Sequence, residues 1–447
     1  MSLPSYSISE GTAVALEFIA GFESTYLSQH DVDVLELTEH SRRWREDLEL
    51  VRRCGIDRLR YPIRWHRLHR EDGSFDWSET DEVLGHLRDQ GFRPIVDLVH
   101  HCSFPAWLDG GFVDPRFGDA YLAYCEAFAH RYPWIDEYTL FNEPFSTLLL
   151  SGHEAVWPPY GSGMSSFVSF LTNALPPLSQ AMHMYRDLLP GARHVYNDAC
   201  EGHSAAQPTG TEFAEVANDR RFFILDVLTG HDVDPARPFF RRVQEAGGEE
   251  LFELAPATID VLGLDYYAHM EWSFIDHTKG ITPSPTPRGL ASLIVEYWDR
   301  YRLPMILTET NIRGLPSDRV SWLRYTLEQC ELAQEAGADV RGYCWFPFID
   351  SCDWDSLLAN AEGHVDPVGV FWLDENLDRR ASVMSDCFTL AAGGASAAEL
   401  PAYRFQPPVD EWLSYLLPQM EHWEWEPAPR SDVMPNPDTE ADLGGLP

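Results

Sequence analysis

Lysine is almost missing from this chain: among 447 residues Lys279 stands alone, and arginine supplies nearly all other positive charge. With 33 basic side chains against 71 acidic ones, the formal net charge is −38. Nothing offsets the repulsion of a phosphate backbone, so no nucleic-acid partner is expected. Long apolar runs are missing too. No stretch reaches the roughly 18 apolar residues that a membrane-crossing helix needs, and no membrane association is expected. Residues Met1 to Ser7 carry neither a basic segment nor an apolar one. That is unlike an export signal, and the expected location is cytoplasmic. The eight cysteines are scattered, from Cys54 to Cys387, with no Cys-x-x-Cys pair and no histidine cluster at ligand spacing. Reduced thiols are expected, with no disulfide framework and no metal site. A glycine-rich phosphate turn is absent as well: the segment after the first strand-like run reads Ala20-Gly21-Phe22-Glu23-Ser24-Thr25. That excludes the dinucleotide fingerprint of a doubly wound sheet.

The acidic, lysine-poor composition fits two readings. One is a surface adapted to high salt, where self-repulsion is screened; the other is an ordinary acidic enzyme encoded with an arginine bias. Activity measured in molar salt separates them.

What is present is a rhythm. Strand-like runs at Ala15–Phe22, Asp57–Ile63, Phe92–Val99, Ile135–Phe141, Ala192–Asp198, Thr258–Tyr267, Met305–Glu309 and Val340–Phe346 alternate with helical stretches. The helices are expected over 41–54, 79–90, 116–131, 165–189, 211–228, 290–301 and 317–336, the fourth kinked or split at Pro176-Pro177. Eight strand-then-helix units imply parallel strands with right-handed crossovers, closed as a (β/α)8 TIM barrel whose reactive residues stand at the C-terminal ends of the strands. The barrel is assigned to residues 1–425. Residues 426–447, rich in proline and acid, are expected to be a disordered or surface-lying tail.

Two of these strands end in a glutamate. Thr139-Leu140-Phe141-Asn142-Glu143-Pro144 closes the fourth, and Leu307-Thr308-Glu309 the seventh. A pair of carboxylates at strand ends suits glycoside hydrolysis, in which one acid protonates the leaving oxygen and the other attacks or stabilises the sugar carbon. The other strand ends carry Glu23, Arg60, His100 with His101, Asn197 with Asp198, Asp265 with Tyr267, and Trp345. Such a rim offers hydrogen bonds and flat apolar faces to a polyhydroxylated ligand.

These residues resemble glycoside hydrolase family 1, the retaining β-glucosidases and β-galactosidases of clan A. The Asn142-Glu143-Pro144 segment is similar to the family's T-[FL]-N-E-P, with one residue more after the threonine, and Leu307 to Asn311 to its [IV]-T-E-N-G. Val96-Asp97-Leu98-Val99-His100-His101 resembles V-T-L-Y-H-W, Leu59 to Trp65 the R-F-S-I-x-W strand, Gly263 to Tyr267 G-x-N-Y-Y, and Gly342 to Trp354 G-Y-x-x-W-S-L-x-D-N-F-E-W. The partial matches keep their order along the chain.

The resemblance implies a retaining exo-β-glycosidase that needs no cofactor and no metal and acts on a small-molecule glycoside. Glu143 would be the acid/base and Glu309 the nucleophile, oriented by Arg60 and Tyr267. His100, Asn142, Trp345, Asp353, Trp354 and Glu23 would bind the sugar, with Trp345 as the platform under the ring. Three departures stand out: the family's Gln-x-Glu-Gly is missing and only Glu23 lies near its place, Asp353 replaces a glutamate, and His101 replaces a tryptophan. Each residue also has a plain structural role open to it: Glu143 as a helix cap, Arg60 as a neutraliser of barrel acids, His100 and Trp345 as core. A transglycosylase with the same acids and a catalytically inactive sugar-binding barrel remain alternatives, and a homo-oligomer is left open.

Overall fold

The structure is a computed structural model that describes residues 15–275 and 281–404. Eight strands close into a barrel: β1 Glu17–Gly21, β2 Arg58–Pro62, β3 Arg93–Asp97, β4 Glu137–Thr139, β5 Arg193–Ala199, β6 Val261–Asp265, β7 Met305–Glu309 and β8 Val340–Trp345. Every neighbouring pair is parallel, and β1 closes the ring by pairing with both β2 and β8. Strand and helix alternate as the hydrophobic rhythm implies, so the chain folds as a (β/α)8 barrel.

The barrel is filled, not hollow. Ile19, Ile95, Val195, Val261, Ile306 and Cys344 form an inner layer of buried side chains. Below it, at the N-terminal ends of the strands, Arg58 pairs with Glu17 and with Glu137 at 2.8 Å. Charge therefore seals the bottom and the apolar layer stiffens the middle, which leaves the top free for chemistry.

Between the strands run helices His40–Arg53, Ser78–Asp89, Phe117–Arg131, Gly163–Leu188, Leu290–Tyr301 and Pro316–Glu335, each within a few residues of its expected span. Two expectations need correcting. The helix Gly163–Leu188 keeps both Pro176 and Pro177 in its interior without being split. Its flank packs along Phe117–Arg131, with the Pro177 ring buried beside Gly118, and this packing offsets two lost backbone hydrogen bonds. The expected helix over 211–228 is instead two, Thr211–Arg220 and Phe223–Thr229. The break falls where Arg221 turns inward to donate to Glu201 O and to Glu296.

Among the elements that escape the sequence pattern are helix Pro144–Gly152 straight after β4, helix Pro238–Glu245, helix Val383–Ala392, and a small sheet of Gly202–Ala205, Glu271–Phe274 and Ile281–Pro283 above β5 and β6. Helix Pro144–Gly152 and the small sheet rise as walls over the top of the barrel. The tail expected at 426–447 and the boundary at 425 lie outside the described residues. Among the described residues no helix is long and apolar enough to cross a membrane.

Candidate active site

The short fourth strand fixes the first glutamate. Leu98 N donates to Thr139 O and Asn142 N to Val99 O, so Leu140 and Phe141 lie between these rungs and the extra residue before Asn142 is taken up there. Glu143 then adopts a left-handed conformation, φ 42° and ψ 59°, before Pro144 starts the next helix. Such backbone costs about 1 kcal/mol or more in a residue with a side chain and persists only when its surroundings hold it. Asp198 does the holding: its carboxylate accepts from Phe145 N at 2.7 Å, Ser146 N at 3.2 Å and the Ser146 hydroxyl at 2.8 Å. Burial raises the Asp198 carboxyl to about 6 even against these hydrogen bonds.

Glu309 ends β7 and is fixed on both oxygens. Arg60 Nη1 donates to Oε1 at 2.7 Å, and the Tyr267 hydroxyl donates to Oε2 at 2.7 Å. The other guanidinium arm, Nη2, reaches Asn142 Oδ1 at 2.7 Å, and Asn197 Nδ2 donates to the same oxygen at 2.6 Å. Asn142 thus has its amide turned the other way, with Nδ2 buried and without a protein partner. Arg60 links the ends of β4 and β7 through one rigid fork, a task a lysine ammonium cannot perform.

Oxygens of Glu143, Asp265 and Glu309 all lie within 4.8 Å of one another. Three carboxylates this close, with one guanidinium beside them, cannot all stay ionised. Burial, then the carboxylates of Asp265, Glu309 and Asp198, push Glu143 well above the usual range, with Arg60 opposing. Asp265 is raised too, by burial and by Glu309. The trio is also where a cation would find oxygens, but the donors already there answer for them. Asp265 accepts from Thr308 Oγ1 and Asn197 Nδ2, each at 2.6 Å, Glu309 is taken as above, and Arg60 supplies the positive charge.

A second ionic group lies next to the first. His100 sits between Asp97, 2.7 Å from Nδ1, and Glu23, 3.3 Å from Nε2. Burial opposes its charge, yet the two carboxylates raise it to about 10. In return the imidazolium outweighs burial at Glu23 and brings that carboxyl down to about 2. Next door, burial and the His100 charge hold His101 well below the usual range, so it is neutral. Its Nε2 is 3.8 Å from Glu143 Oε2, while Nδ1 meets the Thr147 hydroxyl at 2.8 Å. His101 is thus a neighbour of Glu143 that the sequence revealed only as a departure from the motif.

A cavity of about 930 Å³ opens above this cluster, lined at its base by Glu23, His101, Glu143, Tyr267, Glu309, Phe346 and Trp354. Arg60, His100 and Asn142 lie buried just behind that base. Of the six expected sugar contacts, Glu23 and Trp354 line the cavity, His100 and Asn142 stand behind its base, and Trp345 and Asp353 are held elsewhere. Trp345 is fully buried with its indole Nε1 donating to Val368 O at 2.8 Å, and it does not line the cavity. Phe346 does, stacked on His100 at 5.7 Å and facing the Arg60 guanidinium at 5.1 Å. Alternation along β8 points neighbouring side chains to opposite faces, which sends Trp345 outward. Counting two residues after Gly342-Tyr343, as the motif requires, would have placed Phe346 at the tryptophan position. Asp353 is the other correction: both of its oxygens accept backbone N–H groups, from Gly363 and His364 at 2.8 Å each, so it braces a turn.

Comparison with known proteins agrees with this architecture. The model of the family described as Glycosyl hydrolase family 1 matches residues 21–315, well over half of the chain. It ends before β8, the region where the Trp345 reading slipped. A 1,4-beta-D-glucan glucohydrolase of Thermotoga neapolitana is 22% identical over 383 residues, covering 76% of this chain and 87% of that protein. A bifunctional beta-D-glucosidase/beta-D-fucosidase of Bifidobacterium breve is 24% identical over 409 residues, covering 77% and 85%. The solved β-glucosidase from Thermotoga maritima superposes with a TM-score of 0.70 at 16% identity, over 86% of this chain and 99% of the other, a likeness of fold. The chain belongs to glycosyl hydrolase family 1 and is a glycoside hydrolase.

Proposed function

We propose that the protein is a retaining exo-β-glycosidase in which Glu309 is the nucleophile and Glu143 the acid/base. One observation carries the reading: two carboxyl groups with oxygens no more than 4.8 Å apart at the base of one cavity, in opposite chemical settings. Retaining enzymes hold their pair about 5–5.5 Å apart, whereas inversion needs about 6.5–9.5 Å to admit a water between acid and base. Glu309 accepts from Arg60 and Tyr267, one on each oxygen, whereas burial and like charges favour the protonated form of Glu143. Attack by Glu309 on the anomeric carbon breaks the glycosidic bond while Glu143 protonates the departing oxygen. Glu143 then takes a proton from water, whose oxygen displaces Glu309 and releases the sugar with its configuration kept. Asn142 Nδ2, a buried donor without a protein partner, faces the sugar's hydroxyls in this scheme, and the closed base admits a terminal unit.

Replacing Glu309 with alanine should lower kcat by about 10⁴-fold or more on an activated aryl β-glycoside. Azide should restore turnover and give the α-glycosyl azide. Near-normal hydrolysis by E309A would overturn the assignment. The apolar upper cavity also suits an alcohol as acceptor in place of water, so transglycosylation is the second reading, separated by product analysis with excess alcohol.

A further inference from the structure

The base of the cavity is polar, but its upper walls are not. Leu149 and Leu150 on helix Pro144–Gly152, Met164 at the start of helix Gly163–Leu188, Phe213 on helix Thr211–Arg220, and Trp272 and Phe274 on the small sheet all line it and are only partly buried. Phe213 and Phe274 pack ring to ring with centroids 5.9 Å apart. Several of the polar groups interspersed among them are engaged with one another. Glu201 meets Arg220 and His203 at 3.1 Å each, Arg313 meets Asp366 at 2.7 Å, and the Ser146 hydroxyl is on Asp198.

That accounting discriminates between leaving groups. A second sugar has to place several hydroxyls against partners, because a desolvated hydroxyl left unpaired costs more than its contacts return. The wall around Phe213, Trp272 and Phe274 offers it few partners, because Glu201, Arg220 and His203 there are already paired. An apolar group needs only surface, and here surface is abundant. The volume points the same way: about 930 Å³ is at the upper end of cavities that enclose whole drug-sized ligands, and one sugar ring at the base fills only part of it. From the walls, their satisfied polar groups and their continuity with Glu143 and Glu309, we infer that the aglycone is an extended apolar alcohol, a long alkyl chain or a fused-ring system, rather than a second sugar. This rests on the glycosidase reading and narrows it.

The test uses the full-length protein. A screen of p-nitrophenyl β-glycosides, pentosides and deoxysugars included, selects the sugar. That sugar is then presented as n-alkyl β-glycosides from ethyl to decyl, whose leaving groups have nearly equal acidity, and as its β-linked disaccharide. The expected result is a kcat/KM that climbs about two- to fourfold per added methylene until the wall is filled, carried by KM, with the disaccharide well below octyl. In F213S and L150N the ratio of octyl to ethyl should collapse towards unity, a ratio that partial misfolding does not move. A flat series, or a disaccharide preferred over octyl, overturns the inference while leaving the glycosidase reading intact. If no p-nitrophenyl β-glycoside is cleaved, the glycosidase reading itself fails. The wall is then judged alone by tryptophan-fluorescence titration with n-hexanol to n-decanol, where affinity independent of chain length or unchanged in F213S rejects it.

Discussion

Asp265 shows how much one atom decides at this site. The motif it resembles has asparagine there, and the carboxylate in its place adds a third acid within 4.8 Å of Glu143 and Glu309. Because a like charge favours the protonated form of its neighbour, Asp265 adds to the upward push on the Glu143 carboxyl. In D265N the amide oxygen can still accept from Asn197 and the amide nitrogen can donate to Thr308, so the scaffold is kept while the third ionisable acid goes. Glu143 should then ionise at lower pH, and the alkaline limb of kcat/KM should move down by about one pH unit. A limb that stays or moves up would assign it to another group. The Glu23–His100 pair makes a stability prediction. His100 is raised from 6.5 to about 10, so its contribution is complete below pH 6.5 and fades as pH climbs through 10. Glu23 is lowered from 4.5 to about 2, so its share is complete above pH 4.5 and fades as pH falls through 2. E23Q should therefore be destabilised most between pH 4.5 and 6.5, by about 3 kcal/mol in urea unfolding, with the gap to wild type narrowing on both sides.

At the scale of elements, the strands were legible wherever short apolar runs ended in a functional residue. Met305–Glu309 and Leu290–Tyr301 have the spans that their patterns announce, and Glu143 and Glu309 could be singled out because each follows such a run. What stayed hidden was tertiary. Gly202-His203-Ser204-Ala205 falls between two expected elements and is a strand through its pairing with Glu271–Phe274. Asp353 looks like a sugar ligand until its left-handed backbone, φ 58°, aims its oxygens at Gly363 and His364. Phe346 was within reach of a careful count, and its place depends on β1. A methyl group built on Gly21 would lie 2.3 Å from Phe346 Cδ2. G21A should accordingly cost about 1–3 kcal/mol in urea unfolding and lower kcat/KM by displacing the ring at the cavity base. An unchanged enzyme would show that Phe346 is free to move aside without consequence.

Across the whole molecule the sum of charges is −38, and the question is whether its ion pairs or its self-repulsion dominates the response to salt. The pairs act at contact: Arg58 on Glu137 at 2.8 Å, Arg60 on Glu309 at 2.7 Å, both almost sealed from solvent. Repulsion among the unmatched carboxylates acts over longer distances through water. Screening tells the two apart, since the Debye length falls from about 10 Å at 0.1 M salt to about 3 Å at 1 M, which removes long-range repulsion and leaves buried contacts nearly intact. Raising KCl from 0.05 to 1 M should therefore raise Tm, with most of the gain between the lowest concentrations, where the Debye length changes fastest. Calorimetry at a fixed pH of about 7 measures it, and a Tm that falls with KCl would mean that exposed ion pairs, not net charge, set the electrostatic balance of this protein.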